Sequence, residues 1–176
     1  MSEYTPTTPK VLLSEQQISE KIVQLGQQIS QDYQGKKLLM ISVLKGSVVF
    51  MSDLMRAITV PMHIDFMSVS SYGDGVKTSG VVKILKDLDR PIADYDLLIV
   101  EDILDSGLTL SYLAQVLQSR GPKSMRLVTL LDKPGRRQVD VQAHYVGFTI
   151  EDVFVVGYGL DYGEYYRNLP YVGVLE

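Results

Sequence analysis

The chain has no cysteine in its 176 residues. That absence excludes disulfides, thiolate nucleophiles and cysteine-based metal sites. Histidine is nearly as scarce, with His63 and His144 the only two. They lie far apart, in stretches that alternate apolar and polar residues, and read as ordinary sheet positions. An excess of positive charge is also missing. The formal net charge of -4 argues against a general nucleic-acid-binding surface. No apolar run approaches the ~20 residues that span a bilayer, so no membrane segment is expected. The N-terminal MSEYTPTTPK lacks the apolar core of a secretory signal; residues 1–10 read as a loose polar arm, and a cytoplasmic location is the matching expectation. What is present is a chain of single-domain length, 1–176. Its 45% hydrophobic content supports a substantial core.

Hydrophobic spacing divides the chain into alternating strands and helices. Ser14 and Gln17 form a capping box, and Ile18, Ile22, Leu25 and Ile29 follow at helical spacing, with Gly35 as the stop. The run Leu38–Val43, apolar apart from Ser42, predicts a buried strand. Val48, Met51, Leu54, Met55 and Ile58 share one face of a second helix. Strands are expected over His63–Val69 and Val81–Leu88, either side of the polar loop SSYGDGVKTSG. More follow at Leu97–Val100, Met125–Leu131, Tyr145–Ile150, Val153–Val156 and Tyr171–Leu175. A third helix over Leu110–Leu117 ends at Gly121-Pro122. This alternation predicts an α/β fold, a mostly parallel central sheet flanked by helices on both faces. Ligands in such sheets sit beyond the carboxyl ends of the strands. Lys45, the 101–109 segment and Lys133 each follow a predicted strand and would converge on that edge.

The segment LLIVEDILDSGLTL, residues 97–110, carries the most chemistry. An apolar strand runs into the adjacent carboxylates Glu101 and Asp102, then Asp105, then Ser106-Gly107-Leu108-Thr109 at a helix start. Such a start presents free backbone N–H groups and a positive dipole end to a phosphate. Gly107 allows close backbone approach, and Ser106 and Thr109 add hydroxyl donors. The paired carboxylates suit two neighbouring hydroxyls, as on a ribose, or a metal. The segment therefore offers both halves of a sugar-phosphate site. It also bears a loose likeness to an aspartyl-phosphate motif, but Asp102 and Asp105 are three apart where that motif places its acids two apart.

The same segment resembles the phosphoribosyl-diphosphate-binding motif of the type I phosphoribosyltransferases. Nearly the whole chain is similar to their hypoxanthine-guanine branch, through Leu44-Lys45-Gly46, Ser71-Tyr72, Lys133 and VFVVGYGLDYGEYYR at residues 153–167. The resemblance implies a small hood or lid region above the sheet. It implies that Glu101 and Asp102 hold the ribose hydroxyls, that Asp105 is the catalytic base, and that 105–109 cradle the 5-phosphate. Lys45, Gly46, Ser71, Tyr72, Arg137 and Arg167 would hold diphosphate, with Arg136 as an alternative to Arg137. Ser71-Tyr72 would belong to a closing loop that keeps water from the reacting sugar. By the same resemblance the Leu44–Lys45 peptide is a candidate for the cis form. Lys133 would donate to the exocyclic oxygen of a 6-oxopurine, Phe154 would stack on the base, and the Val155 backbone would bond its edge. Asp161 would lie at the purine end and, with Glu101 and Asp102, face Mg2+, which needs few protein ligands. The implied substrates are a 6-oxopurine and phosphoribosyl diphosphate, without nucleic acid or membrane, in a homo-oligomer, dimer or tetramer.

Overall fold

The computed structural model describes residues 7–70 and 82–176. Strand β1 (Lys10–Leu13) leads into helix α1 (Glu15–Asp32) through the expected capping box. The Ser14 hydroxyl accepts from the Gln17 amide at 3.1 Å, and the Ser14 amide donates to Gln17 Oε1 at 2.9 Å. These bonds satisfy two of the amides that a helix start leaves open. Strand β2 (Leu38–Val43) is buried throughout and passes into α2 (Val48–Ala57) and β3 (Met62–Val69). Then come β4 (Ile84–Lys86), β5 (Asp96–Leu104), α3 (Leu108–Ser119) and β6 (Ser124–Asp132). A 3₁₀ turn (Pro134–Arg136) precedes β7 (Tyr145–Thr149), β8 (Val155–Val156) and β9 (Val172–Val174).

Six strands form one sheet in the order β4-β3-β2-β5-β6-β7, parallel apart from the β3–β4 pair. The chain leaves β2 towards β3 on one side, while β5 lies on the other. The carboxyl ends of β2 and β5 therefore flank a topological switch point, where open α/β sheets form a binding crevice. Strand alternation sends side chains to two cores. Leu38, Met40, Leu98 and Val100 pack with residues of α1 and α2, including Ile18, Ile29, Phe50 and Leu54. Leu39, Ile41, Leu97 and Ile99 pack with Leu110, Leu113 and Leu117 of α3. Helices thus cover both faces, as the period-2 and period-3.6 patterns require.

A second, three-stranded antiparallel sheet, β1-β9-β8, makes the small hood. Here the structure departs from the expected N-terminal arm. Pro9 is buried and Lys10 already pairs with Val174; residues 1–6 lie outside the described residues. The strand expected over Val81–Leu88 is shortened to the three residues of β4. A further difference concerns Glu101 and Asp102, which lie inside β5, not in a loop after it. Pairing with β6 continues to Leu104↔Asp132, whereas pairing with β2 ends at Val100. One edge of β5 stays bonded while the other opens, so the carboxylates occupy a rigid strand and still reach solvent. Val100 and Ile103 pack against the same core although three residues apart. The alternation slips by one residue across the acidic pair.

Neither histidine belongs to a site. His63 meets Tyr95 edge-on at 5.4 Å, and His144 Nδ1 accepts from the Leu127 amide at 3.0 Å. No helix among the described residues is long and apolar enough to cross a membrane.

Candidate active site

A crevice of about 260 Å3 opens at the switch point. Its walls include Leu44 and Gly46 after β2, Glu101 and Asp102 of β5, and Asp105, Ser106, Gly107 and Thr109 at the start of α3. The Leu44–Lys45 peptide is cis. Gly46 packs so close to β5 that a Cβ there would collide with the Asp102 carboxylate. Glycine at this position is what lets the β2 loop and the acidic pair share one wall.

Glu101 and Asp102 are partly buried neighbours. Burial, and then the Asp102 charge, push the Glu101 carboxyl well above its usual range. Burial also raises Asp102, against the hydrogen bond its Oδ1 accepts from the Ile103 amide at 2.8 Å. The pair carries electrostatic tension that a hydroxyl-bearing or cationic ligand would relieve.

Gly107 caps α3 in the left-handed region, φ +83°, and no side chain caps the helix. The first-turn amides have no intrahelical acceptor; only a long 3.4 Å approach from Ser106 Oγ meets the Leu108 amide. This is an anion cradle of backbone donors at the positive end of a helix. Asp105 Oδ1 is buried and accepts no hydrogen bond. Its nearest cation is Arg136, Nε at 3.3 Å, and Arg136 also approaches Asp152 at 3.5 Å.

Arg137 is the clearest departure from expectation. Its Nε donates to the Asp105 carbonyl at 3.2 Å, its Nη1 to the Val141 carbonyl at 2.7 Å, and its Nη2 pairs with Asp132. These partners use the guanidinium to brace the loop that carries Asp105, so in this arrangement it does not reach for a diphosphate. The adjacent Arg136 is the more exposed of the two.

Lys133 follows β6, and its amide donates to the Leu104 carbonyl at 2.9 Å. That bond seats it beside the end of β5. The residue is only 7% exposed, and among the described residues its ammonium has no ion-pair partner within reach. The ammonium is not among the fully buried unpaired polar atoms, so it keeps contact with solvent and stays open to an acceptor from a ligand.

Residues 153–167 come up against the loop after β2, where Gly159 packs on the Gly46 carbonyl. Phe154 is 54% exposed and meets Tyr162 edge-on at 5.7 Å, leaving ring area open. Val155 is buried in β8 against Val174. Arg167 Nη1 donates to the Gly159 carbonyl at 2.7 Å, and its Nη2 lies 3.3 Å from Asp161 and 3.0 Å from Glu164. Arg167 Nε is buried without an acceptor. Lys45 Nζ reaches across to Glu164 at 2.9 Å. Arg167 and Asp161 lie near enough for their charges to act on Asp102, in opposite senses. Asp161 and Arg167 thus lie near the acidic pair, with Lys45 tied to the same turn through Glu164, but Glu101, Asp102 and Asp161 do not assemble into a three-ligand metal cluster among the described residues. Ser71 and Tyr72 lie outside the described residues. Glu164 is the addition, while Arg136, the named alternative to Arg137, lies beside Asp105. Arg136 had a sequence signal as the twin of Arg137. Glu164 had none, being one more acid in a polar turn.

Comparison with known proteins agrees with this geometry. Residues 10–163 match the phosphoribosyl transferase domain family. The chain is 54% identical over 167 residues to the hypoxanthine-guanine phosphoribosyltransferase of Bacillus subtilis (strain 168), covering 95% of this chain and 93% of that protein. It superimposes on the crystal structure of a hypoxanthine phosphoribosyltransferase from Staphylococcus aureus with a TM-score of 0.91, at 53% identity over 95% of this chain and 91% of the other. It is also 52% identical over 95% of its length to the bifunctional protein TilS/HprT of Listeria monocytogenes serotype 4b (strain F2365), of which it spans 26%.

Proposed function

Because this chain belongs to the phosphoribosyltransferase family, in its hypoxanthine-guanine branch, we propose that it joins hypoxanthine, and guanine, to the ribose 5-phosphate of phosphoribosyl diphosphate. A carbon–nitrogen bond forms at the anomeric carbon as the bond to the diphosphate oxygen breaks, giving a purine nucleoside monophosphate and free diphosphate. The role is purine salvage, and the cytoplasm is where its substrates are met. The observation that carries this reading is the meeting of three features at one switch point: the strained pair Glu101/Asp102, the uncapped amide cradle of α3, and the glycine-tight loop after β2.

Glu101 and Asp102 accept from the ribose 2- and 3-hydroxyls, which lowers their mutual repulsion. The amides and hydroxyls of 105–109 hold the 5-phosphate, so the sugar is fixed at both ends with its reacting carbon between. Asp105, whose Oδ1 accepts no hydrogen bond among the described residues and lies 3.3 Å from Arg136 Nε, takes the proton from the purine imidazole edge as the new bond makes that proton acidic. Lys133 donates to the 6-oxygen. An adenine would present an amino donor there, leaving two desolvated donors facing each other. Phe154 covers the base face, and Val155 presents its backbone to the base edge. Lys45, Gly46 and Arg167 hold the departing diphosphate. Two adjacent carboxyl groups, with Asp161 nearby, fit Mg2+, which takes one or two protein oxygens and otherwise binds water and phosphate. When bound, it supplies charge neutralisation to the leaving diphosphate.

The test is direct. Purified protein, Mg2+ and phosphoribosyl diphosphate are incubated with each nucleobase, and nucleotides are resolved by chromatography. Hypoxanthine and guanine should give their 5′-monophosphates, with adenine at least tenfold slower. No nucleotide from any 6-oxopurine would overturn the reading. Sedimentation of the same sample reads the expected dimer or tetramer.

A further inference from the structure

The cations assigned to diphosphate are already occupied. One Glu164 carboxylate oxygen accepts from Lys45 at 2.9 Å and the other from Arg167 at 3.0 Å. Lys45 lies 119 residues from Glu164 in sequence, so this ion pair ties together two distant loops. Pairing with Lys45 first, and then with Arg167, holds the Glu164 carboxyl below its usual range.

The backbone offers no separate reason for glutamate here. Tyr162 and Tyr165 exchange backbone hydrogen bonds at 3.1 Å, enclosing Gly163 (φ +58°) and Glu164 (φ +70°). Two central residues with positive φ make a type I′ hairpin turn, which favours asparagine or glycine at both positions. A glutamate in the left-handed region opposes that preference, so what this residue contributes lies in its side chain. That side chain is 63% exposed, and its Lys45 partner 67%. Exposed ion pairs are weak and readily exchanged.

Resting on the proposed placement of diphosphate at Lys45 and Arg167, we propose that Glu164 is an internal anionic placeholder: its carboxylate spans the diphosphate cradle, and incoming diphosphate must displace it. Glu164 thereby sets the affinity for the diphosphate group, and it returns as that product leaves. Its two oxygens meet the same two donors that would otherwise meet two phosphate oxygens. The exchange trades one anion for a more highly charged one and leaves neither cation unpaired.

The experiment measures binding of magnesium pyrophosphate by calorimetry to the wild type, E164Q and E164N. The asparagine variant suits the turn while lacking the carboxylate, which guards against a folding artefact. Both should bind pyrophosphate roughly three- to tenfold more tightly, consistent with the loss of two exposed ion pairs. The KM for phosphoribosyl diphosphate should fall by a similar factor, while the KM for hypoxanthine and the affinity for inosine 5′-monophosphate hold. Unchanged or weaker pyrophosphate binding in both variants overturns the proposal. R167A and K45A, run in parallel, keep the two failures apart. If they weaken pyrophosphate binding and the Glu164 variants do not tighten it, only the placeholder idea falls. If they too leave it unchanged, the assignment of the cradle falls and takes the placeholder with it.

Discussion

The acidic end of the crevice, from Glu101 to Thr109, is held by backbone. Its carboxylates lie in a strand bonded to β6 as far as Leu104, its phosphate cradle is the first turn of α3, and Arg137 braces the join between them. The opposite end, residues 157–167, is a series of turns outside both sheets, tied by backbone bonds such as Tyr158 to Leu169 and Gly159 to Arg167. Gly157, Tyr158, Gly159, Gly163, Glu164 and Tyr166 all have positive φ, and the charged groups are set by ion pairs among Lys45, Asp161, Glu164 and Arg167. Under the proposed function, the first end would meet the sugar phosphate that substrate and nucleotide product share, and the second, whose charged side chains rest on exposed ion pairs that exchange readily, would be the adjustable one facing the groups that change. Preorganised dipoles stabilise a fixed charge without reorganising, whereas a leaving group benefits from contacts that exchange.

Glycine substitutions should expose this contrast most strongly. Gly46→Ala forces a Cβ into the Asp102 carboxylate; kcat/KM should drop by about two orders of magnitude or more, the scale of a misplaced reacting group. Gly163→Ala meets nothing within 4 Å and carries only the left-handed backbone cost of about 1–2 kcal/mol. Its kcat/KM should remain within about threefold of wild type, a change of under 1 kcal/mol. Equal losses at the two positions would erase the distinction.

Asp105→Asn tests the rigid end next. It should lower kcat by about 10²–10⁴-fold, the usual worth of a general base, with little change in the KM for phosphoribosyl diphosphate. Undiminished turnover would remove Asp105 from the chemistry. Lys133→Ala should narrow the preference for 6-oxopurine over adenine by about tenfold or more, because a facing donor is lost. Selectivity that survives would place discrimination elsewhere.

The smallest effect is on stability. Burial and the neighbouring Asp102 charge hold the Glu101 carboxyl well above its usual range, so the folded protein keeps this proton to higher pH than the unfolded chain. The stability that this provides is complete below the unfolded pKa and is lost as pH rises through the folded one. Glu101→Gln should therefore raise the Tm of the ligand-free protein at about pH 8, by about 2–4 °C for each kcal/mol relieved, with little gain at about pH 4. Ribose binding should weaken in the same variant. A uniform Tm shift across pH would contradict the electrostatic origin.

The frame of the molecule was readable because its signals are local. Leu38–Val43 has the same limits in sequence and structure, as a run apolar but for Ser42 in a strand buried on both faces should. The Ser14–Gln17 box marks the start of α1 without help from elsewhere. The hood was harder. β1 has four residues, Val11 and Leu12 are exposed, and the partner strand β9 lies at the far end of the chain, so neither periodicity nor a turn signal announces it. Carboxylates inside β5 were also hidden, since polar residues after an apolar run read as the strand's end; only the uneven extents of β2 and β6 explain them. Among candidate site residues, the 101–109 segment was legible from backbone chemistry alone. The adjustable end was legible through family resemblance, and that did not reveal that Arg137 is spent on Asp132 or that Glu164 stands between Lys45 and Arg167.

A crystal structure with inosine 5′-monophosphate tests the central claim most directly. The account predicts the phosphate on the amides of 105–109, the ribose hydroxyls within hydrogen-bond distance of Glu101 and Asp102, and the base between Lys133 and Phe154. A nucleotide seated away from the acidic pair, or turned with its phosphate towards Lys45 and Arg167, would contradict it.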